Sequence, residues 1–280
     1  MYRTLTTALV LLALAGSTAR AGLLGDEQSP LRLRAGFETG FVGVLGHTIQ
    51  FGNDGTRFDY VADGGQDILF PFRRLTAELA VGRRHSVIFL VQPLDIRTEA
   101  LLEHELTVDT LTFTAGTPVE LRYGFYFYRA SWLYDFLPPS DRELAVGLSL
   151  QVRNASISFA AQNGEQFRIN QNVGPVPAIK LRGRLPLGRR AWLGTEIDGI
   201  YAAGKGFTGS TNVNREFIGA LLDASARAGW RFTDWLDGYV NIRYLGGGAR
   251  GTQLERKGPG DGYTDNWLGV GSVTLGFRVQ

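Results

Sequence analysis

Charged residues recur at every second position in several stretches of this chain, with apolar residues between them. Lys180, Arg182 and Arg184 alternate with aliphatic side chains, and so do Glu196 and Asp198. Charges of both signs on one face can pair with each other, or they can line a pore and select among charged solutes. The residues assigned to this face are Arg32, Arg34, Glu38, Arg74, Glu78, Glu120, Arg122, Arg153, Lys180, Arg182, Arg184, Glu196, Asp198, Asp223, Arg227, Arg231, Arg243 and Arg278.

The balance of charge on this face separates two functions. Twelve of its residues are basic and six are acidic, which favours weak selectivity for anions if the face lines an open pore. A barrel with about eight strands is instead filled by side chains, and an unpaired charge inside it would be costly. The pattern therefore favours a structural plug of salt bridges, and a narrow, weakly anion-leaning channel stays open as the other interpretation.

Catalytic chemistry would have to depend on one of three histidines. His47, with Asp54 and Asp59 downstream, could join an acid–base or metal site at a loop rim. His85 adjoins a tight turn, and His104 lies between two glutamates in a polar segment. Residue types without a known geometry do not define a catalytic site. Because cysteine is absent as well, we predict no metal site, no cofactor and no enzymatic activity, with a rim enzyme as an alternative.

The strict alternation predicts β-strands, and the clearest pair is the hairpin Pro118–Phe159. Its turn is placed at Pro138-Pro139. The apolar face of the second arm consists of Leu144, Val146, Leu148, Leu150 and Val152. The parity of the apolar residues changes between Tyr128 and Ala130, which predicts a β-bulge there. The apolar face of the first arm, expected to lie deep in lipid, consists of Val119, Leu121, Tyr123, Phe125 and Phe127.

Repetition of this unit predicts an all-β fold, an antiparallel transmembrane up-and-down barrel of about ten strands, with eight or twelve as alternatives. Four short turns alternate with five long polar loops, and no segment has helical periodicity. The loops are predicted, in order, at 47–67, 95–117, 160–174, 204–215 and 246–266. Residues 1–21 read as a signal peptide that ends in Ala19-Arg20-Ala21, because their apolar run is too short to span a bilayer. Residues 22–280 are then one exported domain.

Alternation alone does not say which face meets lipid, because a soluble periplasmic ligand-binding barrel alternates too, with its apolar face inward. Short turns on one rim and long loops on the other favour an outer-membrane barrel. So do the charges on the non-apolar face. Aromatic residues near the short turns predict an interface girdle formed by Trp132, Tyr134, Phe136, Trp192, Trp230, Phe232 and Trp235.

The net charge of the mature chain and its apolar face indicate which partners the protein has. Removal of Arg3 and Arg20 with the signal peptide leaves 29 − 2 = 27 basic residues against 27 acidic ones, so the mature chain is formally neutral. Net charge gives no support for nucleic-acid binding. We predict membrane lipid and lipopolysaccharide as the surroundings of the barrel.

Across nearly the whole mature chain this pattern resembles bacterial outer-membrane β-barrel proteins in general. The resemblance implies an outer-membrane location and insertion by the barrel-assembly machinery, which usually reads an aromatic C-terminal residue. Here Phe277 is followed by Arg278-Val279-Gln280, so that signal departs from the family's pattern. The ten-stranded omptin-type proteases are similar in size, but they require a histidine beside an aspartate, and no Asp-x-His occurs.

Overall fold

The computed structural model describes residues 30–137, 141–205, 216–252 and 259–279, without the side chains of residues 172, 173, 205 and 216. The predicted signal peptide, residues 1–21, and the predicted Pro138-Pro139 turn lie outside the described residues. The strands are β1 (Leu31–Phe51), β2 (Phe58–Asp59), β3 (Leu69–Val81), β4 (His85–Leu101), β5 (Leu106–Val108), β6 (Leu111–Phe113), β7 (Pro118–Asp135), β8 (Glu143–Ala161), β9 (Phe167–Leu187), β10 (Ala191–Lys205), β11 (Glu216–Thr233), β12 (Leu236–Thr252) and β13 (Tyr263–Val279).

Ten of these strands close into an antiparallel barrel. Their order is β13-β12-β11-β10-β9-β8-β7-β4-β3-β1, and β13 pairs with β1 to complete the ring. The predicted all-β, up-and-down barrel of about ten strands is therefore confirmed. The short strand β2 pairs with β1, while β5 and β6 form a separate hairpin. The described residues contain no helix long and apolar enough to cross a bilayer.

The two rims of the barrel differ. At one rim, named the turn rim, residues 82–84, 136–142, 188–190 and 234–235 connect neighbouring strands. The ends of β1 and β13 meet there, since Ala35 pairs with Val279. Gly82 and Gly188 have positive φ values of 62° and 76°, a conformation that glycine adopts without steric cost. The opposite end, named the loop rim, carries the longer connections.

The strands continue towards the loop rim through segments that the sequence predicted as loops. β4 extends to Leu101, into the predicted loop Asp95–Thr117. In the predicted loop 160–174, β8 and β9 are separated only by residues 162–166. These predictions were wrong because the outward positions are polar here, so the stretches have the composition of loops while their backbones stay paired. The fourth predicted loop, 204–215, lies almost entirely outside the described residues.

An apolar belt surrounds the outside of the barrel between the turn rim and the upper half of the strands. Its side chains point outward and are exposed, although they are aliphatic or aromatic. Inward positions at the same height carry charged side chains that are buried. The belt includes Leu31, Leu33, Phe41, Leu45, Phe89, Val91, Trp132, Leu144, Leu148, Leu150, Ile179, Leu185, Leu193, Leu222, Trp230, Ile242, Val273, Leu275 and Phe277.

Strand β7 corrects the prediction for the first arm of the hairpin. Val119, Leu121, Tyr123 and Phe127 are at most 2% exposed and point into the barrel, so their predicted position in lipid was wrong. The ladders to β4 and β8 run unbroken through Arg129, so the predicted bulge was wrong too. The backbone keeps its parity while the interior changes from apolar near the loop rim to charged near the turn rim.

Strand β4 shows the same arrangement. The sequence left its orientation open because it is apolar on both faces. Ile88 and Leu90 are buried inside, whereas Phe89 and Val91 belong to the exposed belt. A register shift does occur in β1, between Val44 and Gly46, where no bulge was predicted.

Candidate functional site in the barrel lumen

A salt bridge crosses the lumen from one wall to the opposite wall. The Arg74 guanidinium on β3 lies 3.0 Å from the Glu196 carboxylate on β10. In the ring of ten strands, β3 and β10 are five positions apart in either direction, which is the largest separation possible. Both side chains are buried, so this pair occupies the middle of the barrel.

Arg129 on β7 forms a second bridge across the lumen. Its Nη1 donates to Asp198 on β10 at 2.7 Å and to Asp223 on β11 at 2.9 Å. The remaining nitrogens of the fork donate to the Gln151 side chain on β8. A planar guanidinium suits this arrangement because its donors are fixed in several directions. Four strands are thereby tied together by a single fully buried arginine.

The carboxylates inside the barrel share basic partners. Six of them each lie within 4.0 Å of two or more basic groups, so no acidic member of this set is left uncompensated. This matters because a buried charge without a partner is strongly destabilising. The six, which we name with their partners the charge network, are Glu38, Glu78, Glu196, Asp198, Asp223 and Asp237.

Near the turn rim the charge network is covered by an aromatic side chain. Asp237 accepts hydrogen bonds from Arg184 at 2.8 Å and Arg278 at 2.9 Å. Both guanidinium groups lie over the Trp192 ring, at 4.3 and 5.6 Å from its centroid. Trp192 is thus inside the barrel against Gly229, and its predicted place in the outer girdle was wrong. Trp132, Phe136, Trp230 and Phe232 are exposed on the outer surface.

Most of the residues assigned to the charged face point into the lumen. Those with ion pairs inside the barrel are Arg34, Glu38, Arg74, Glu78, Lys180, Arg182, Arg184, Glu196, Asp198, Asp223, Arg227, Arg231, Arg243 and Arg278. Arg32 donates to the Gly82 carbonyl at the turn rim. Arg153 points inward nearer the loop rim.

Two of the assigned residues lie outside the barrel. Glu120 is exposed, and Arg122 pairs with Asp95 at 2.8 Å on the outer surface. Their assignment to the lumen was wrong because the inward face of β7 at this height is the apolar one. For the same reason Arg129 was not predicted to point into the lumen. It lies two residues after Phe127 and therefore on the same face of β7, so unbroken alternation along the whole strand would have predicted its inward position.

Above the charge network, an apolar layer fills the lumen. The β5–β6 hairpin folds into the mouth of the barrel, where Phe113, Leu106 and Val108 are buried. The first loop contributes Phe58 and Tyr60, and the walls contribute further rings. Phe58 and Phe159, for example, meet edge to face with centroids 6.1 Å apart. The charge network and the apolar layer thus occupy successive levels of the described lumen.

His47 belongs to this apolar layer. Its ring stacks on Tyr60 with centroids 4.3 Å apart and meets Tyr123 edge to face at the same distance. Nδ1 lies 2.8 Å from the Gln66 amide oxygen, and among the described residues no carboxylate is hydrogen-bonded to the ring. Asp59 instead accepts from the Val61 amide. The predicted group of His47, Asp54 and Asp59 is therefore not assembled, and His85 and His104 are exposed elsewhere.

Hydrogen bonds to two aspartates, Asp109 and Asp261, hold the loops together over the mouth of the barrel, and each set of bonds is named a clasp. Asp109, at the tip of the β5–β6 hairpin, accepts hydrogen bonds from Arg168 at 2.9 Å and Asn170 at 3.2 Å. Asp261 accepts from the Asn53 amide at 2.9 Å and from the Tyr263 amide at 2.8 Å. The first, second and last loops are thus held to each other and to β9.

The Asp261 clasp should depend on pH. Slight burial acts to raise the pKa of this carboxyl, but the hydrogen bonds from Asn53 and Tyr263 lower the pKa below its ordinary value. A lowered pKa stabilises the clasp above the unfolded value of about 3.9, and the contribution is lost as pH falls through the folded value. Hydrogen exchange of the Asn53 and Tyr263 amides, corrected for intrinsic rates, should accelerate on acidification. In Asp261→Asn that acceleration should be absent, and its persistence would contradict the role of Asp261.

Comparison with known proteins shows no relative in sequence: no family model matches the chain, and no curated protein matches it. Several solved structures are similar to it, including the following three. The outer membrane protease OmpT from Escherichia coli has 10% identity and a TM-score of 0.49, over 88% of this chain and 96% of that one. The transport unit of the autotransporter AIDA-I from Escherichia coli has 10% identity and a TM-score of 0.40, over 98% of both chains.

The third is the toluene transporter TodX from P. putida, with 7% identity and a TM-score of 0.28 over 89% of this chain and 90% of that one. The resemblance to outer-membrane β-barrel proteins in general, predicted from the sequence, is confirmed at the level of the fold, which is a closed ten-stranded antiparallel ring. With TM-scores below 0.5, the likeness assigns no activity to this chain.

Proposed function

We propose that this chain is an integral outer-membrane β-barrel whose lumen is sealed, with a structural role in the membrane and no pore function. The placement in a membrane is supported by the apolar belt, which exposes Leu148, Ile242 and Leu275 at roughly 60% of their surface. A soluble binding barrel has the opposite arrangement, with its apolar side chains inward. Exposed apolar patches of this extent are typical of surfaces that meet lipid or a partner.

The orientation and the export route are part of the same proposal. The short turns, the start of β1 and the end of β13 lie on the same rim, which in outer-membrane barrels is the periplasmic one. Residues 1–21 then direct export and are cleaved, and the barrel-assembly machinery inserts the barrel. Lipid and lipopolysaccharide surround the belt.

The Arg74–Glu196 salt bridge carries the proposal of a sealed lumen. A barrel that conducts solutes needs a continuous wet path, but these side chains meet at 3.0 Å from opposite walls. The apolar layer under the β5–β6 hairpin closes the path a second time. The excess of basic residues favoured an anion-leaning channel in the sequence. In the structure these basic residues pair with the carboxylates of the charge network, each of which contacts two or more of them.

Cell fractionation tests the membrane placement. The mature protein should sediment with outer membranes, require detergent for extraction and shift its gel mobility on heating, as a closed barrel does. Recovery of the folded protein in the soluble periplasmic fraction would contradict the placement and would favour the soluble barrel.

A further inference from the structure

The wall of the barrel is open between β9 and β10. Their ladder runs from Leu187–Ala191 to Ile179–Gly199 and, among the described residues, has no pair beyond that point. Both strands continue towards the loop rim, β9 back to Phe167 and β10 on to Lys205. The facing edges of the two strands are therefore unpaired in the upper half of the wall.

Two prolines lie on β9 where the ladder stops. Pro175 and Pro177 are two positions apart, so their missing N–H groups fall on the same edge of the strand. The ladder to β8 continues through both of them, opposite Val152 and Leu150, while the ladder to β10 ends at Ile179. Since Val152 and Leu150 are exposed apolar side chains of the belt, the opening begins at the height of the belt.

The wall has a second break, between β3 and β4, and a loop covers it from inside the barrel. The β3–β4 ladder also stops, at Leu75–Val91. There the first loop packs against the inner face of β4, and the Thr98 hydroxyl donates to the Gly64 carbonyl. At the β9–β10 opening the corresponding contact lies nearer the loop rim than the two prolines, where Asp109 of the β5–β6 hairpin accepts from Arg168 and Asn170 on β9.

Behind the β9–β10 opening lies a cavity of about 260 Å³. Val176, Ile200 and Leu245 give it apolar walls, and the glycine-rich parts of β11 and β12 leave its far side free of bulky side chains. Ligand pockets are mostly apolar, with a few placed polar groups. The volume suits part of an alkyl chain better than a bulky ring system.

Three polar side chains of the cavity, those of Tyr123, Arg153 and Asn266, lie towards the loop rim, whereas Gln151 lies towards the charge network and accepts from Arg129. Arg153 is opposite Gly174 on β9, beside the opening, and its buried Nε has no hydrogen-bond partner among the described residues. Asn266 donates to the Tyr123 hydroxyl at 3.2 Å, while its own buried Oδ1 has no partner there either. Among the described residues, no carboxylate lines this cavity. The site therefore presents a cation towards the loop rim, beside walls that are mostly apolar.

We propose that the β9–β10 opening admits the alkyl chain of an anionic single-chain amphiphile, such as a fatty acid, from the outer leaflet into this cavity, where Arg153 binds the head group. The proposal rests on the membrane placement given above for the direction of entry. Binding of one molecule from the side is compatible with a lumen that conducts nothing. A guanidinium can hold a carboxylate through two parallel hydrogen bonds, which gives the head group a defined position.

Equilibrium binding of radiolabelled laurate tests this proposal, with the full mature chain in phosphatidylcholine nanodiscs and empty nanodiscs as the blank. The wild type should bind laurate more tightly than dodecanol or dodecyltrimethylammonium of the same chain length. Arg153→Gln should lose about tenfold in affinity for laurate and little for dodecanol, because it removes a charge-assisted hydrogen bond. Val176→Trp fills the cavity and should weaken both ligands.

Arg153→Lys, which keeps the charge, should recover part of the laurate affinity, and Arg250→Gln, an exposed arginine at the far end of β12, should leave binding unchanged. Heat-modifiable gel mobility shows that each variant is folded. Equal binding of laurate by wild type and folded Arg153→Gln, preference for the cationic amphiphile, or no saturable binding above empty nanodiscs would overturn the proposal. A failure of the membrane placement shows separately, as a protein that stays folded in buffer without detergent.

Discussion

Replacement of Arg129 by alanine should lower the free energy of unfolding by about 3–5 kcal/mol, because it takes one cationic partner and its hydrogen bonds from each of two buried carboxylates. The guanidinium is fully buried and contacts Asp198 and Asp223. Lys180 and Arg243 still contact these carboxylates in the variant, but neither reaches across from β7. The loss should therefore appear as a less stable barrel rather than as a local loosening.

Guanidinium-induced unfolding in detergent, followed by the heat-modifiable gel shift, measures this loss. Arg122→Ala on the same strand is the matched control, since it breaks a partly exposed pair with Asp95 of β4 and should cost at most about 1 kcal/mol. Combining Arg129→Ala with Asp198→Asn should restore part of the stability, because it removes one negative charge while Lys180 keeps its pair with Glu196. Equal unfolding midpoints for Arg129→Ala and Arg122→Ala would contradict the role of the charge network.

Replacement of Phe113 by alanine should release the β5–β6 hairpin from the mouth of the barrel. Phe113 is fully buried in the apolar layer, and large-to-small changes at such aromatic positions cost about 3–5 kcal/mol. The barrel walls do not depend on this hairpin for their ladders, because β4 pairs directly with β7. We expect local opening of the mouth with the barrel still folded.

Limited proteolysis of the detergent-solubilised protein measures that opening. Phe113→Ala should be cleaved within residues 102–117 while the remaining fragments keep the heat-modifiable mobility of a closed barrel. Leu111→Ala, in the same hairpin but only half-buried, should resist the protease nearly as the wild type does. Resistance of Phe113→Ala equal to that of the control would show that the hairpin is not held by the apolar layer.

Sequence alone predicts the barrel because alternation records which side of the wall each residue faces. It worked for β8, where Leu148 and Leu150 point outward opposite a polar interior. It failed for the upper half of β7, where Tyr123 and Phe127 are inside. Alternation shows that the two faces of a strand differ, but it does not show which face is outside. The interior of this barrel is charged near the turn rim and apolar near the loop rim, so one rule cannot be applied along a whole strand.

The sequence predicts most of the residues that belong to the candidate site, but it does not predict which of them contact each other. The alternation assigned Arg74, Glu196 and Asp223 to one face, but their contacts join strands that are distant in sequence. The break between β9 and β10 had one local signal, the two prolines at Pro175 and Pro177. The cavity behind it depends on the closure of the ring, which brings β8 and β13 to the same space.

Recording the current across a planar lipid bilayer after insertion of the wild-type protein tests the sealed lumen most directly. Because Arg74 and Glu196 meet in the middle of the barrel and the apolar layer lies above them, the membrane current should stay at the level of a protein-free bilayer. Insertion is verified in the same membranes by recovery of heat-modifiable protein. Stable conductance steps from inserted wild-type protein, absent without it, would contradict a sealed barrel and establish a pore.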